Sequence, residues 1–148
     1  MSVRVPAVVL LSGLMVAAGV VTGGAAQAMD RPCGRGGSDS GKGSLGTPWT
    51  LKSMYDDDGP APNRLVAGEE FEIATTGAGQ HWSVTFADNG TPFFTNDDDV
   101  STATGIREVH PNPVTRIPNH MTVHAIRHET GEVIDGAVDL PAPPPRCG

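Results

Sequence analysis

Through the middle of the chain, apolar and polar residues exchange places at every step. In "EEFEIATT" (residues 69–76), Phe71, Ile73 and Thr75 alternate with Glu70, Glu72 and Ala74; in "HWSVTFAD" (81–88), Trp82, Val84 and Phe86 alternate with His81, Ser83 and Thr85. A period of two sends the two sets to opposite faces of a pleated strand, so both segments are predicted as half-buried strands. "DNGT" (88–91) follows. Asn-Gly suits a two-residue hairpin turn because both residues tolerate positive φ, which makes "PFFT" the return strand. "MTVHAIRH" and "VIDGAVDL", joined by "ETGE", repeat the pattern as a second hairpin, and "PWTLKSMY" and "GIREVH" add two more strands. With about seven strands and no capped segment of helical period, the chain is predicted to be all-β, an antiparallel sandwich in which two sheets bury their apolar faces against each other. Trp49, Tyr55, Phe71, Trp82 and Phe86 are the predicted core.

Composition changes the picture at the two ends. Arg4, the apolar run Val5–Val21 and the small residues ending "GGAAQA" read as an export signal over residues 1–28, cleaved after Ala28, with no stable membrane insertion afterwards. Residues 29–46 are dominated by Gly and Ser and residues 141–148 by Pro, so both are expected as flexible tails around a domain at 47–140. The chain carries ten Lys/Arg against seventeen Asp/Glu, a net charge of −7. Removing Arg4 with the signal makes the balance nine against seventeen, or −8. An acidic chain gains nothing from nucleic acid or an anionic membrane surface, so neither is expected as a partner. Cys33 and Cys147 are the only cysteines. In an oxidising compartment they are expected to form one disulfide within the chain, with pairing between chains as the alternative.

Several motifs invite chemistry. "GGSDSGKG" (36–43) has the G-x-x-x-x-G-K of a phosphate loop, but Gly43 stands where magnesium needs Ser or Thr. His120, His124 and His128 are four apart, a metal-binding spacing on a helix. On a strand it separates neighbouring imidazoles by roughly 13 Å at ~3.3 Å per residue, so they are expected to line a solvated face opposite Met121, Val123 and Ala125. The acidic triplets Asp56–Asp58 and Asp97–Asp99 raise calcium. Asp97, Asp99, Ser101 and Glu108 fall at positions one, three, five and twelve of a calcium-loop template, but Thr102 replaces its glycine and the flanks read as strands. In the first triplet only Asp56 and Asp58 share a face, ahead of a Gly-Pro turn. Both triplets are read as charged loop tips; no metal is expected, and Asp56, Asp58, Asp97, Asp99 and Glu108 form the alternative calcium set. No catalytic residues are assigned and no enzyme activity is expected, because no nucleophile elbow is present and no Ser or Cys is spaced for the histidines.

The succession "PWTLKSM…DDDG…EEFEIATT…GQHWSV…DNGTPFF…MTVHAIRHETGE…GAVDL", over residues 47–140, resembles a group of small secreted actinobacterial proteins with an immunoglobulin-like β-sandwich. That resemblance implies an immunoglobulin-like fold and no particular function. Such proteins carry a cysteine two residues after T-G-E, where this chain has Ile134. "VAGEEFEIATTGAGQHW" (66–82) is also similar to the early strands of chagasin-type cysteine-peptidase inhibitors, though Ile73 and Ala74 replace the Asn-Pro before T-T-G. The expected function is an extracellular binding or interaction module for an unidentified protein or ligand, with calcium binding or peptidase inhibition as alternatives.

Overall fold

The computed structural model describes Cys33, residues 36–62 and residues 64–147; the expected export signal and its cleavage site lie outside them. Eight strands are present among the described residues: β1 (Gly37–Lys42), β2 (Pro48–Asp56), β3 (Val66–Ile73), β4 (His81–Asp88), β5 (Thr91–Val100), β6 (Ile106–Pro113), β7 (Asn119–Arg127) and β8 (Val133–Leu140). They form two four-stranded antiparallel sheets, β1-β2-β3-β6 and β5-β4-β7-β8, packed as a sandwich. Asn89 and Gly90 take φ of 48° and 81°, the two positive values the β4–β5 hairpin needs, and Asp88 pairs with Thr91 across the turn.

The inward face of each strand is the apolar one. Trp49, Tyr55, Phe71, Trp82 and Phe86 are all buried, as predicted. Phe71 of β3 meets Phe86 of β4 edge-on, 6.3 Å between centroids, and thereby joins the sheets. Met121, Val123 and Ala125 of β7 are buried while His120 and His124 stand outside.

Two expectations fail at the ends. Part of the segment expected as a Gly/Ser-rich flexible tail is strand β1, which pairs with β2 from Gly37↔Ser53 to Lys42↔Pro48. An edge strand is held by backbone hydrogen bonds, so its lack of apolar side chains does not prevent pairing. Its glycines help. A Cβ at Gly41 would lie 3.1 Å from the Trp49 ring, so the bare backbone covers the indole. The Pro-rich end is not a free tail either: Arg116 donates to the carbonyls of Pro144 and Cys147, and Cys147 is bonded to Cys33, both fully buried. The packed unit therefore extends beyond 47–140 to the disulfide.

A buried carboxylate closes the β1/β8 side. Glu132 accepts hydrogen bonds from the backbone N–H groups of Leu45 (3.2 Å) and Thr47 (2.9 Å) and from the Thr47 hydroxyl (2.7 Å), clamping the β1–β2 turn to the β7–β8 hairpin. Burial opposes its ionisation, but these donors outweigh it and hold the Glu132 carboxyl below the usual range.

Candidate functional site

On the opposite side, β5 and β6 are the facing edges of the two sheets, and a polar cluster fills the seam between them. Its origin is a β-bulge. Trp82 pairs with Asp99 and Val84 with Asn96, so Asp97 and Asp98 together oppose Ser83. The extra residue puts Asn96 and Asp99 on the same inward face as Trp82 and Val84. The second acidic triplet is thus part of strand β5, which corrects its reading as a loop tip.

In the seam, Asp99 is hydrogen-bonded to Glu108 of β6. Glu108 also accepts from Asn96 Nδ2 at 3.0 Å and pairs with His110 Nε2 at 2.8 Å, while the His110 ring stacks on Phe94 with centroids 3.4 Å apart. Burial, the Glu108 charge and the shared hydrogen bond push the Asp99 carboxyl up to about 6. Burial also works against Glu108, but its three hydrogen-bond partners prevail and its carboxyl is lowered. The pair therefore holds one proton, on Asp99, until the pH passes about 6. We expect the Asp99 carboxyl carbon to titrate near pH 6 by NMR, and Glu108 to move below its usual range in Asp99→Asn no less than in the wild type. A midpoint near 4 for Asp99 would contradict the shared proton.

Beside Asp99 opens a cleft of about 470 Å³. Ile73, Val100 and Ile106 give it an apolar lining; Glu72, Thr104 and Arg107 are polar groups at its wall. The rim is fixed by a tight reversal in which Thr102 and Gly105 exchange backbone hydrogen bonds of 2.9 and 3.1 Å. Gly105 is required there: its φ is 106°, and a Cβ would lie 2.1 Å from the Ile73 carbonyl oxygen. Ser101 ties the rim to the β3–β4 loop, accepting from Gln80 N at 3.0 Å and donating to Gly77 O at 2.8 Å.

The residues weighed for calcium are divided by the fold. Asp99 and Glu108 meet in the seam; Asp97 is exposed, and Asp56 and Asp58 lie at and just beyond the end of β2, separated from β6 by β3. Among the described residues, no three His, Cys, Asp or Glu side chains are arranged to hold a metal ion.

The outer face of the β5-β4-β7-β8 sheet carries the histidines, each beside a carboxylate. His120 and Asp139, and His124 and Asp135, are directly opposed in the β7–β8 register with contacts of 2.7 Å. His81 contacts Asp98 at 2.7 Å, and this partner raises its pKa. His128 does have a serine partner, which the spacing in sequence does not reveal because Ser83 lies on the neighbouring strand: Nε2 is 2.8 Å from Ser83 Oγ, and Nδ1 is 3.8 Å from Asp98. The order Ser–His–Asp is that of a hydrolase triad, but the His128–Asp98 contact is too long for a hydrogen bond, and the Asp97 carbonyl, 3.1 Å from Ser83 Oγ, competes with His128 for the one hydroxyl proton.

Compared with protein families, curated proteins and solved structures, the chain matches none of them.

Proposed function

We propose that the chain is an exported binding module with an immunoglobulin-like sandwich, and that it receives a small polar ligand in the cleft beside Asp99. The cleft carries this reading: about 470 Å³, lined by apolar and polar groups in nearly equal measure, with a rim fixed by backbone hydrogen bonds, which suits a small polar ligand. Below pH 6 the Asp99 proton is held by Glu108, so Asp99 offers the cleft an acceptor oxygen, suited to a hydroxyl or amide N–H of a ligand. The buried Cys33–Cys147 bond suits an oxidising, extracellular setting. The acidic surface argues against nucleic acid as the partner.

The test is native mass spectrometry of the protein purified from culture supernatant. A small molecule should accompany the wild type and be lost from Ala74→Arg, which places a long side chain at the cleft wall. No bound species, or one retained equally by that variant, would refute the cleft as the site.

A further inference from the structure

A second concave feature lies away from the seam, on the outer face of the β1-β2-β3-β6 sheet. Three rows of residues that the register turns away from the core cross β2, β3 and β6 there: Lys52–Glu70–Val109, Met54–Gly68–Pro111 and Asp56–Val66–Pro113, of which Val66 is itself covered by the chain at Gly59 and only 2% exposed. Gly68 in the central row has no side chain, and a Cβ built on it would meet nothing nearer than the Met54 carbonyl oxygen at 3.8 Å. The result is a groove of about 220 Å³ running along β3 between Met54 and Pro111. Val109 beside it is 47% exposed and adds apolar surface to the groove wall.

The two ends of the groove differ in charge. At one end Glu70 is neutralised, by Lys52 at 3.5 Å and Arg107 at 3.3 Å. At the other end stand Asp56 and Asp58, and among the described residues neither takes part in an ion pair. Arg64 is close in sequence, but its Nε–H goes to the Asp57 carbonyl at 3.0 Å, and Asp56 Oδ1 accepts only the Asp57 N–H, at 2.8 Å. An apolar trough ending in uncompensated negative charge matches one kind of side chain, an aliphatic stem with a cationic head. A bare cation would satisfy the aspartates and leave the trough wet; an apolar side chain would do the reverse.

We propose that this groove docks an arginine or lysine of a partner polypeptide, its stem laid over Gly68 between Met54 and Pro111 and its charged head at Asp56 and Asp58. The net charge of −7 favours the approach of such a partner at long range. The docking site is separate from the seam cleft, so either can fail without the other.

Titration of the ¹⁵N-labelled, disulfide-bonded chain with the peptide acetyl-Val-Arg-Val-amide tests the proposal, with citrulline in place of arginine as the neutral isostere. Amide shifts should centre on Asp56, Asp58, Gly68 and Val109, and the citrulline peptide should bind about tenfold more weakly, having lost a charge-assisted hydrogen bond. Gly68→Leu should abolish binding by filling the trough. Asp56→Asn with Asp58→Asn, a surface change that leaves the core untouched, should bring the arginine peptide down to the citrulline level. Equal binding of the two peptides, or shifts centred on the seam cleft, would overturn the proposal. So would concentration-dependent shifts at the same amides without peptide, which would mean that a second copy of the chain fills the groove.

Discussion

Removing the Cys33–Cys147 bond is expected to cost about 5 kcal/mol of stability. The two cysteines are 114 residues apart, so the bond closes nearly the whole described chain into one loop. In the chain-entropy relation a loop of roughly a hundred residues restricts the unfolded chain by about 4.7 kcal/mol. That figure is reduced when the joined ends are mobile in the folded state, and here they are not. Cys33 and Cys147 are 2% and 0% exposed, and the Arg116 guanidinium binds the carbonyls around Cys147. For a domain of this size the loss corresponds to roughly 20 °C in Tm. Urea unfolding of the oxidised chain against Cys33→Ala/Cys147→Ala measures it. A difference below 1 kcal/mol would show that the joined ends are mobile in the folded state despite their burial.

What the sequence makes legible, and what it hides, divides along physical lines. The seven strands read from alternation and turn chemistry are present because Phe71, Trp82 and Val123 each sit at alternate positions whose burial drives the fold. β1 was invisible to the same reasoning. Its stability comes from backbone pairing with β2 and from Gly41, whose bare backbone fits against Trp49, neither of which leaves an apolar trace in the sequence.

The candidate site was legible only in its residue types. Asp99 and Glu108 were singled out for calcium, yet their meeting depends on the bulge opposite Ser83, and one inserted residue on an otherwise regular strand carries no compositional mark. Without the bulge, Asn96 and Asp99 would face opposite sides of the sheet and the shared proton could not form. The groove at Gly68 was equally hidden, since its walls come from three strands that only the sheet order brings together.

One buried group has a visible signal. Glu70 and Glu72 stand on the outer face as the alternation predicts, and the same parity that buries Phe71 and Ile73 turns Glu69 inward, where it is 0% exposed and neither carboxyl oxygen has a hydrogen-bond partner. The groups beside it in the sheet are already committed: Ser53 donates to the Gly68 carbonyl, and His110 pairs with Glu108. Across the sandwich lies Asp88, whose own buried Oδ1 is likewise unpartnered. Burial first, and the Asp88 charge second, push the Glu69 carboxyl up to about 8. A carboxyl raised in the folded state binds its proton more tightly there than in the unfolded chain. Its contribution to stability is therefore complete below pH 4.5 and is lost as the pH rises through about 8. Between pH 5 and pH 8 the wild type should lose about 3 to 4 kcal/mol from this group, at 1.36 kcal/mol per pH unit. Asp99 and His81, also raised, slope the same way, so the decisive quantity is the difference between wild type and Glu69→Gln. That variant cannot ionise. Urea unfolding at pH 5 and at pH 8 should find the two proteins closest in acid, with the variant gaining on the wild type by about 3 kcal/mol as the pH rises. Parallel pH profiles would mean that Glu69 ionises in the fold at its ordinary pH, with water or a counter-ion at its side.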